Sequence, residues 1–172
     1  SFGYRMLATS ARQAASQTLL AALDAARTEA VSRNEPWPLL FRQGSQFASP
    51  NSFNEYGTLH SASGSDASDR RVAWHTLPSG AWVFGGSIPS ISKGKNILDL
   101  ARTTLADSGV TASEEEMRAS VTAIVFGEMG EMSFPEGDGG PYYLAIAEGN
   151  PDATGGSLRS IPDLIEIRPA TG

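Results

Sequence analysis

Along the first fifth of the chain, apolar positions recur at helical intervals. Ala11, Ala15, Leu19, Ala22, Leu23, Ala26 and Ala30 fall on one face of a helix from about Ala8 to Arg33, while Ser10, Gln13, Gln17, Asp24 and Thr28 fall opposite. Glu29 precedes Arg33 by four residues, the favoured order for a helical ion pair. Asn34 and Pro36 mark the stop: asparagine tolerates the left-handed cap conformation, and proline disfavours a helical residue before it. At 1.5 Å per residue the helix would be roughly 39 Å long, more than the width of a domain this size, so part of it is expected to project. Arg12 interrupts the apolar stripe. Ser1 to Leu7, with Phe2, Tyr4, Met6 and Leu7, have no evident core partner and read as a stub, the remnant of a longer segment or of a foreign residue or two.

After Pro36 the pattern changes to short strands. Trp37 to Arg42 reads as the first. Gln43 to Asp69, rich in Ser, Gly and Asn, reads as a long surface loop pinned by Phe47, Phe53, Tyr56 and Leu59. Arg71 to Leu77 and Ala81 to Phe84 read as two strands of a hairpin turning at Pro78-Ser79-Gly80. Ile97, Leu98, Ala101 and Leu105 fit a short helix over Lys95 to Ala106, and Ser113 with Glu116 offers a capping box at the start of another. Val121 to Phe126, Glu131 to Phe134, Tyr142 to Ala147 and Leu164 to Arg168 complete the strands, separated by glycine-rich turns. One helix followed by strands predicts an α+β fold, a single domain over residues 1–172, with the helix laid on antiparallel sheet.

Charge and composition narrow the function. The chain has 172 residues, with 13 Lys+Arg against 19 Asp+Glu and a net charge of −6, which argues against nucleic acid as a partner because phosphate binding needs a clustered basic surface. Cysteine is absent, which removes disulfides, thiolate metal sites and cysteine nucleophiles. No apolar run approaches the ~18 residues of a membrane span.

Candidate chemistry is sparse. His60 and His75 are the two histidines. His75 alternates with apolar neighbours and reads as an outward strand residue. His60 lies near Ser61, Ser63, Ser65, Asp66 and Asp69, the one local Ser/His/Asp set, but a polar loop holds a nucleophile and base poorly and the chain has no Gly-x-Ser-x-Gly elbow. Ser92-Lys93-Gly94-Lys95-Asn96 lacks the upstream glycine and the hydroxyl residue of a phosphate loop. The Gly127 to Gly130 and Gly137 to Gly140 clusters read as turns. Glu136, Asp138 and Glu148 offer oxygen ligands for calcium without EF-hand spacing, and read as a solvated acidic turn. No catalytic residue, cofactor or metal site is therefore expected. Two other readings remain: a secreted module binding carbohydrate or peptide in a groove of Trp74, Trp82, Tyr142 and Tyr143, and a hydrolase built on His60.

Ala26-Arg27-Thr28-Glu29-Ala30-Val31-Ser32-Arg33-Asn34-Glu35-Pro36, ending a long helix and entering the strand Trp37 to Arg42, resembles the hallmark of GspH/FimT-type pilin-like proteins, the minor pseudopilins of type II secretion and minor pilins of type IV pili. Leu77 to Gly80, Ile124 to Gly130 and Ile167 to Gly172 resemble later family segments in the same order. The resemblance implies a pilin-like fold and a structural, non-enzymatic subunit in the bacterial cell envelope. Its head would be periplasmic, and an apolar segment upstream of Ser1 would anchor it in the inner membrane. It also implies that Leu19, Leu23, Ala26 and Ala30 pack the helix on the sheet, and that Ala8, Ala11 and Ala15 allow other pseudopilin or pilin subunits to approach through the N-terminal helix. The loop over residues 43–69 and the segment 93–116 have no evident counterpart in the family.

Overall fold

The computed structural model describes residues 2–45, 47–49, 51–61, 64, 66–87, 94–136, 141–154, 158 and 162–168. Helix α1 (Phe2–Arg33) leads the chain. Strands β1 (Trp37–Arg42), β2 (Ser52–Phe53), β3 (Glu55–Ser61), β4 (Arg70–Thr76), β5 (Ala81–Phe84) and β6 (Lys95–Asn96) come next. A single helical turn, α2 (Ile97–Leu100), then leads to β7 (Arg102–Thr104) and the short helix α3 (Glu114–Arg118). The remaining strands are β8 (Ser120–Phe126), β9 (Met132–Phe134), β10 (Tyr142–Glu148) and β11 (Asp163–Ile167).

The strands form two sheets. The first has the order β4-β3-β1-β8-β7, with β9 also pairing β8; the second has the order β11-β10-β5-β2, with β6 running parallel to β10. In the first sheet β1 lies between β3 and β8, and all of Trp37 to Phe41 is buried, which explains a continuous apolar run where a half-exposed strand would alternate. In the second, Ile146 opposes Val83 and Leu144 opposes Ile165, so the apolar side chains of three strands meet on one face. Helix α1 packs on β1 and β8 of the first sheet and on β5, β10 and β11 of the second, joining both in one core.

Several elements depart from the sequence expectation. Helix α1 starts at Phe2, so the segment read as a stub continues the helix. Its C-terminal end is where it was expected: Asn34 has φ 55° and its N–H bonds Val31 O at 3.3 Å. The segment read as a loop over residues 43–69 contains β2 and the seven-residue β3, which pairs with β4 along its whole length. Gly57 permits this pairing, because a Cβ there would come within 2.6 Å of Val72 Cγ1. β4 and β5 are not a hairpin: they belong to different sheets, and Leu77 to Gly80 carry the chain from one sheet to the other. The helix expected over Lys95 to Ala106 is α2 alone, followed by β7. Even so, Ile97, Leu98, Ala101, Leu105, Val110 and Ala112 are all buried, so this segment is core.

The capping box at Ser113 does not form. Ser113 makes no side-chain cap bond. Its N–H donates to Arg70 O at 3.0 Å, while the Val72 N–H donates to Glu116 Oε1 at 3.3 Å. The residues expected to cap a helix instead close backbone groups of β4, the terminal strand of its sheet, and so blunt an edge open to pairing. Arg70, 4% exposed, secures the same corner: its Nη2 lies 2.5 Å from Glu35 Oε1, and its guanidinium lies 4.9 Å from the centre of the Trp37 ring.

Candidate functional site

With little convergent chemistry to follow, the surface of α1 is the feature that distinguishes this chain, and the helix divides into an inner and an outer flank. Ala15, Leu19, Leu23, Ala26 and Ala30 are buried against the two sheets, at the i, i+4, i+8, i+11 and i+15 spacing that a helix stacks on one side. Arg12, the charge within that stripe, is accommodated by carboxylates of the second sheet: its Nε lies 3.3 Å from Asp163 Oδ2 and its Nη1 3.7 Å from Glu148 Oε1.

Of the residues singled out for contact with neighbouring helices, Ala15 is fully buried by the chain's own sheets. Ala11 packs against the same core, where a Cβ on Gly80 would lie 3.6 Å from its own. Ala8 lies on α1 in the stretch whose side chains fall outside the described residues. Ala11 and Ala15 therefore offer little free surface, and the open flank is elsewhere. Leu20 and Val31 are 51% and 52% exposed, and between them Arg27 Nη2 pairs with Asp24 Oδ1 at 3.0 Å. Two shallow grooves run beside this flank and share Asp24 and Arg27. One, of 280 Å³, lies toward Phe126, Ile165 and Ile167; the other, of 480 Å³, lies toward the β8–β9 turn, where Met129 is 86% exposed. Sequence pattern placed Leu20 and Val31 off the apolar stripe, and nothing in it indicated that they border a trough.

The other candidates are separated by the fold. His75 is exposed, stacks on Tyr56 at 5.0 Å and meets Thr58 Oγ1 at 3.0 Å. His60 is exposed on β3 opposite Arg71; Ser63 and Ser65, part of the same local set, lie outside the described residues. Trp82 and Tyr142 are buried in the second sheet, whereas Trp74 lies half-buried in the first under the Arg42 guanidinium, 4.1 Å from the ring centre. The four aromatics therefore do not line one groove.

Gly127 to Gly130 form the β8–β9 turn, with Gly130 N–H donating to Gly127 O at 2.9 Å. Asn96 serves as a clip: its Oδ1 accepts from Leu98 N–H and its Nδ2 donates to Phe84 O and Gly86 O. Ser92 and Lys93, and the Gly137 to Gly140 cluster with Asp138, lie outside the described residues. Of the calcium candidates, Glu148 pairs with Arg12 and Glu136 is exposed, and no group of three His, Cys, Asp or Glu converges among the described residues. Among those residues no helix is long and apolar enough to cross a membrane.

One further contact ties the segment before β2 to the turn after β10. The exposed Asp152 carboxylate accepts from Ser49 N–H at 2.8 Å and Ala48 N–H at 3.0 Å, and hydrogen bonding from the Ser49 side chain, then from the Ser49 and Ala48 backbone, holds it below the usual aspartate range.

A long N-terminal helix laid across two predominantly antiparallel sheets defines an α+β protein of the pilin-like class. The family model of type II transport protein GspH matches residues 15–159, from the helix to beyond β10, and the chain belongs to that family. No curated protein and no solved structure matches the chain. Membership makes it a pseudopilin of type II secretion, a cell-envelope protein that associates with other pseudopilins.

Proposed function

We propose that this chain is the head of a minor pseudopilin that acts as a structural, non-enzymatic subunit of a type II secretion or type IV pilus-like filament. Helix α1 joins the filament, the sheets form a periplasmic head, and an apolar extension upstream of Ser1 holds the precursor in the inner membrane. The observation that carries this reading is the two-sided helix. Thirty-two residues long, and so about 48 Å at 1.5 Å per residue, α1 uses Ala15 to Ala30 to hold its own sheets and leaves Leu20, Val31 and the adjoining trough uncovered. An apolar surface along a helix suits a neighbouring pilin-like subunit. Leu20, Val31 and Met129 take the contact role at this flank, where Ala15 is fully buried against the chain's own sheets.

The reading is tested by complementing a strain that lacks the gene with the full-length wild type and with Leu20→Glu and Val31→Glu variants. Secretion or piliation is expected to return with the wild type and to fall at least tenfold with either variant, while the purified heads keep the wild-type unfolding midpoint. Full activity in both variants would refute the reading.

A further inference from the structure

A cleft of 650 Å³ lies away from α1. Strands that terminate the two sheets both border it: β2 ends the second sheet and β7 ends the first. Arg102 of β7 reaches across, its Nη2 3.1 Å from Asn51 Oδ1 beside β2. The other wall carries the half-buried side chains of Val72, Trp74 and Val121. The charges are separated across the cleft: Glu116, in the wall opposite Arg102, accepts from the Val72 N–H and has no cation partner among the described residues. Arg42 is neutralised by Glu55 at 2.9 Å, whereas Arg102 is exposed, meets only the neutral Asn51, and has no carboxylate partner among the described residues. In a chain of net charge −6, an uncompensated guanidinium at the mouth of a cleft is a local exception.

The geometry points to this cleft as a binding site for an extended peptide segment of a partner protein that carries a single acidic residue opposite Arg102. Terminal strands offer backbone donors and acceptors to an added strand, and alternate side chains of that strand then enter side pockets. A carboxylate would pair with Arg102 in the fork geometry a guanidinium favours, and an apolar side chain would lie over Val72, Trp74 and Val121. Glu116 in the opposite wall disfavours a second acidic residue there, so one acidic position is selected. A glycan is the weaker fit, because the Trp74 ring lies under Arg42 and is not presented as a stacking platform. This site is independent of the α1 contact proposed above.

The test is an array of hexapeptides in an alternating Thr/Val host, each position scanned through all twenty residues and probed with the labelled head and with its Arg102→Gln variant. One position should favour Asp or Glu over Asn or Gln at least fivefold with the wild type, and that preference should vanish with Arg102→Gln. Amide shifts induced by the best peptide should cluster at 51–53, 102–104 and 120–122. Absence of binding, binding indifferent to the acidic residue, an acidic preference retained by Arg102→Gln, or shifts produced there by an oligogalacturonate and not by the peptide would each overturn the proposal. Arg102 is exposed and bonded only to Asn51, so an unchanged unfolding midpoint in Arg102→Gln confirms that the comparison is between folded proteins.

Discussion

Replacing Arg12 separates two accounts of how α1 is held. Its side chain is 19% exposed, and those of Glu148 and Asp163 are 25% and 40% exposed, so the triad lies between a surface pair, worth about 0–1 kcal/mol, and a buried one, whose disruption costs about 3–5 kcal/mol. Arg12→Ala removes the cation and leaves two carboxylates on adjacent strands beside the helix, one of them with its Oε2 already buried without a hydrogen-bond partner. The aliphatic stem of the arginine, which covers apolar surface, is lost as well. Taking these together, Arg12→Ala should cost about 2 kcal/mol after allowance for solvent screening, and about 4–8 °C in Tm for a chain of this length. Arg12→Met retains the stem and should recover part of the loss. Urea unfolding measures both, and adding Asp163→Asn to Arg12→Ala should restore stability relative to Arg12→Ala alone, because the like-charge contact is relieved. If Arg12→Ala unfolds within 0.5 kcal/mol of wild type, the ion pairs do not hold the helix, and apolar packing alone does.

Leu19→Ala, at a fully buried position on the inner flank, should cost about 2–5 kcal/mol by urea unfolding, whereas Leu20→Ala next to it should stay within about 0.5 kcal/mol. Gly57→Ala should cost about 1–3 kcal/mol, because the new methyl meets Val72 and Trp74, and Val72→Ala in the same chain should return part of it. Asp152 sits below the usual aspartate range in the folded protein, so its contribution is complete above about pH 4 and is lost as the pH falls through its lowered pKa. Protection of the Ala48 and Ser49 amides, relative to their intrinsic exchange rates, should therefore fall in that acid window, and in Asp152→Asn it should be reduced already at neutral pH.

Residues whose environment is set locally were legible in the sequence. The inner stripe of α1 follows helical periodicity, and Asn34 ends the helix because a left-handed residue stops the ladder wherever it falls. β8 and β10 were legible because both are buried and continuously apolar. What depends on distant partners was not. Pro78-Ser79-Gly80 has hairpin chemistry, yet whether the flanking strands pair depends on which sheet each one joins. β3 has only Tyr56 and Leu59 as large apolar residues and no regular alternation, so its membership of the sheet is decided by β1 and β4 beside it. Ser113 and Glu116 have capping-box spacing but are drawn to the open backbone of β4, a tertiary competitor that no local pattern contains. The same limit applies to the functional surfaces: Leu20 and Val31 stand outside the apolar stripe, and only the fold sets Phe126, Ile165 and Met129 in the grooves beside them.

These 172 residues contain no cysteine, so a cysteine placed among them is the single one in this stretch. The most direct measurement is disulfide or bismaleimide cross-linking in intact cells between the full-length protein, carrying cysteine at 20, 31, 60 or 75, and pseudopilin neighbours that carry an engineered surface cysteine of their own. The account predicts adducts to another pilin-like subunit from positions 20 and 31 and none from 60 or 75. Adducts confined to 60 and 75, or a protein that stays uncross-linked at every position while the filament assembles around it, would contradict it.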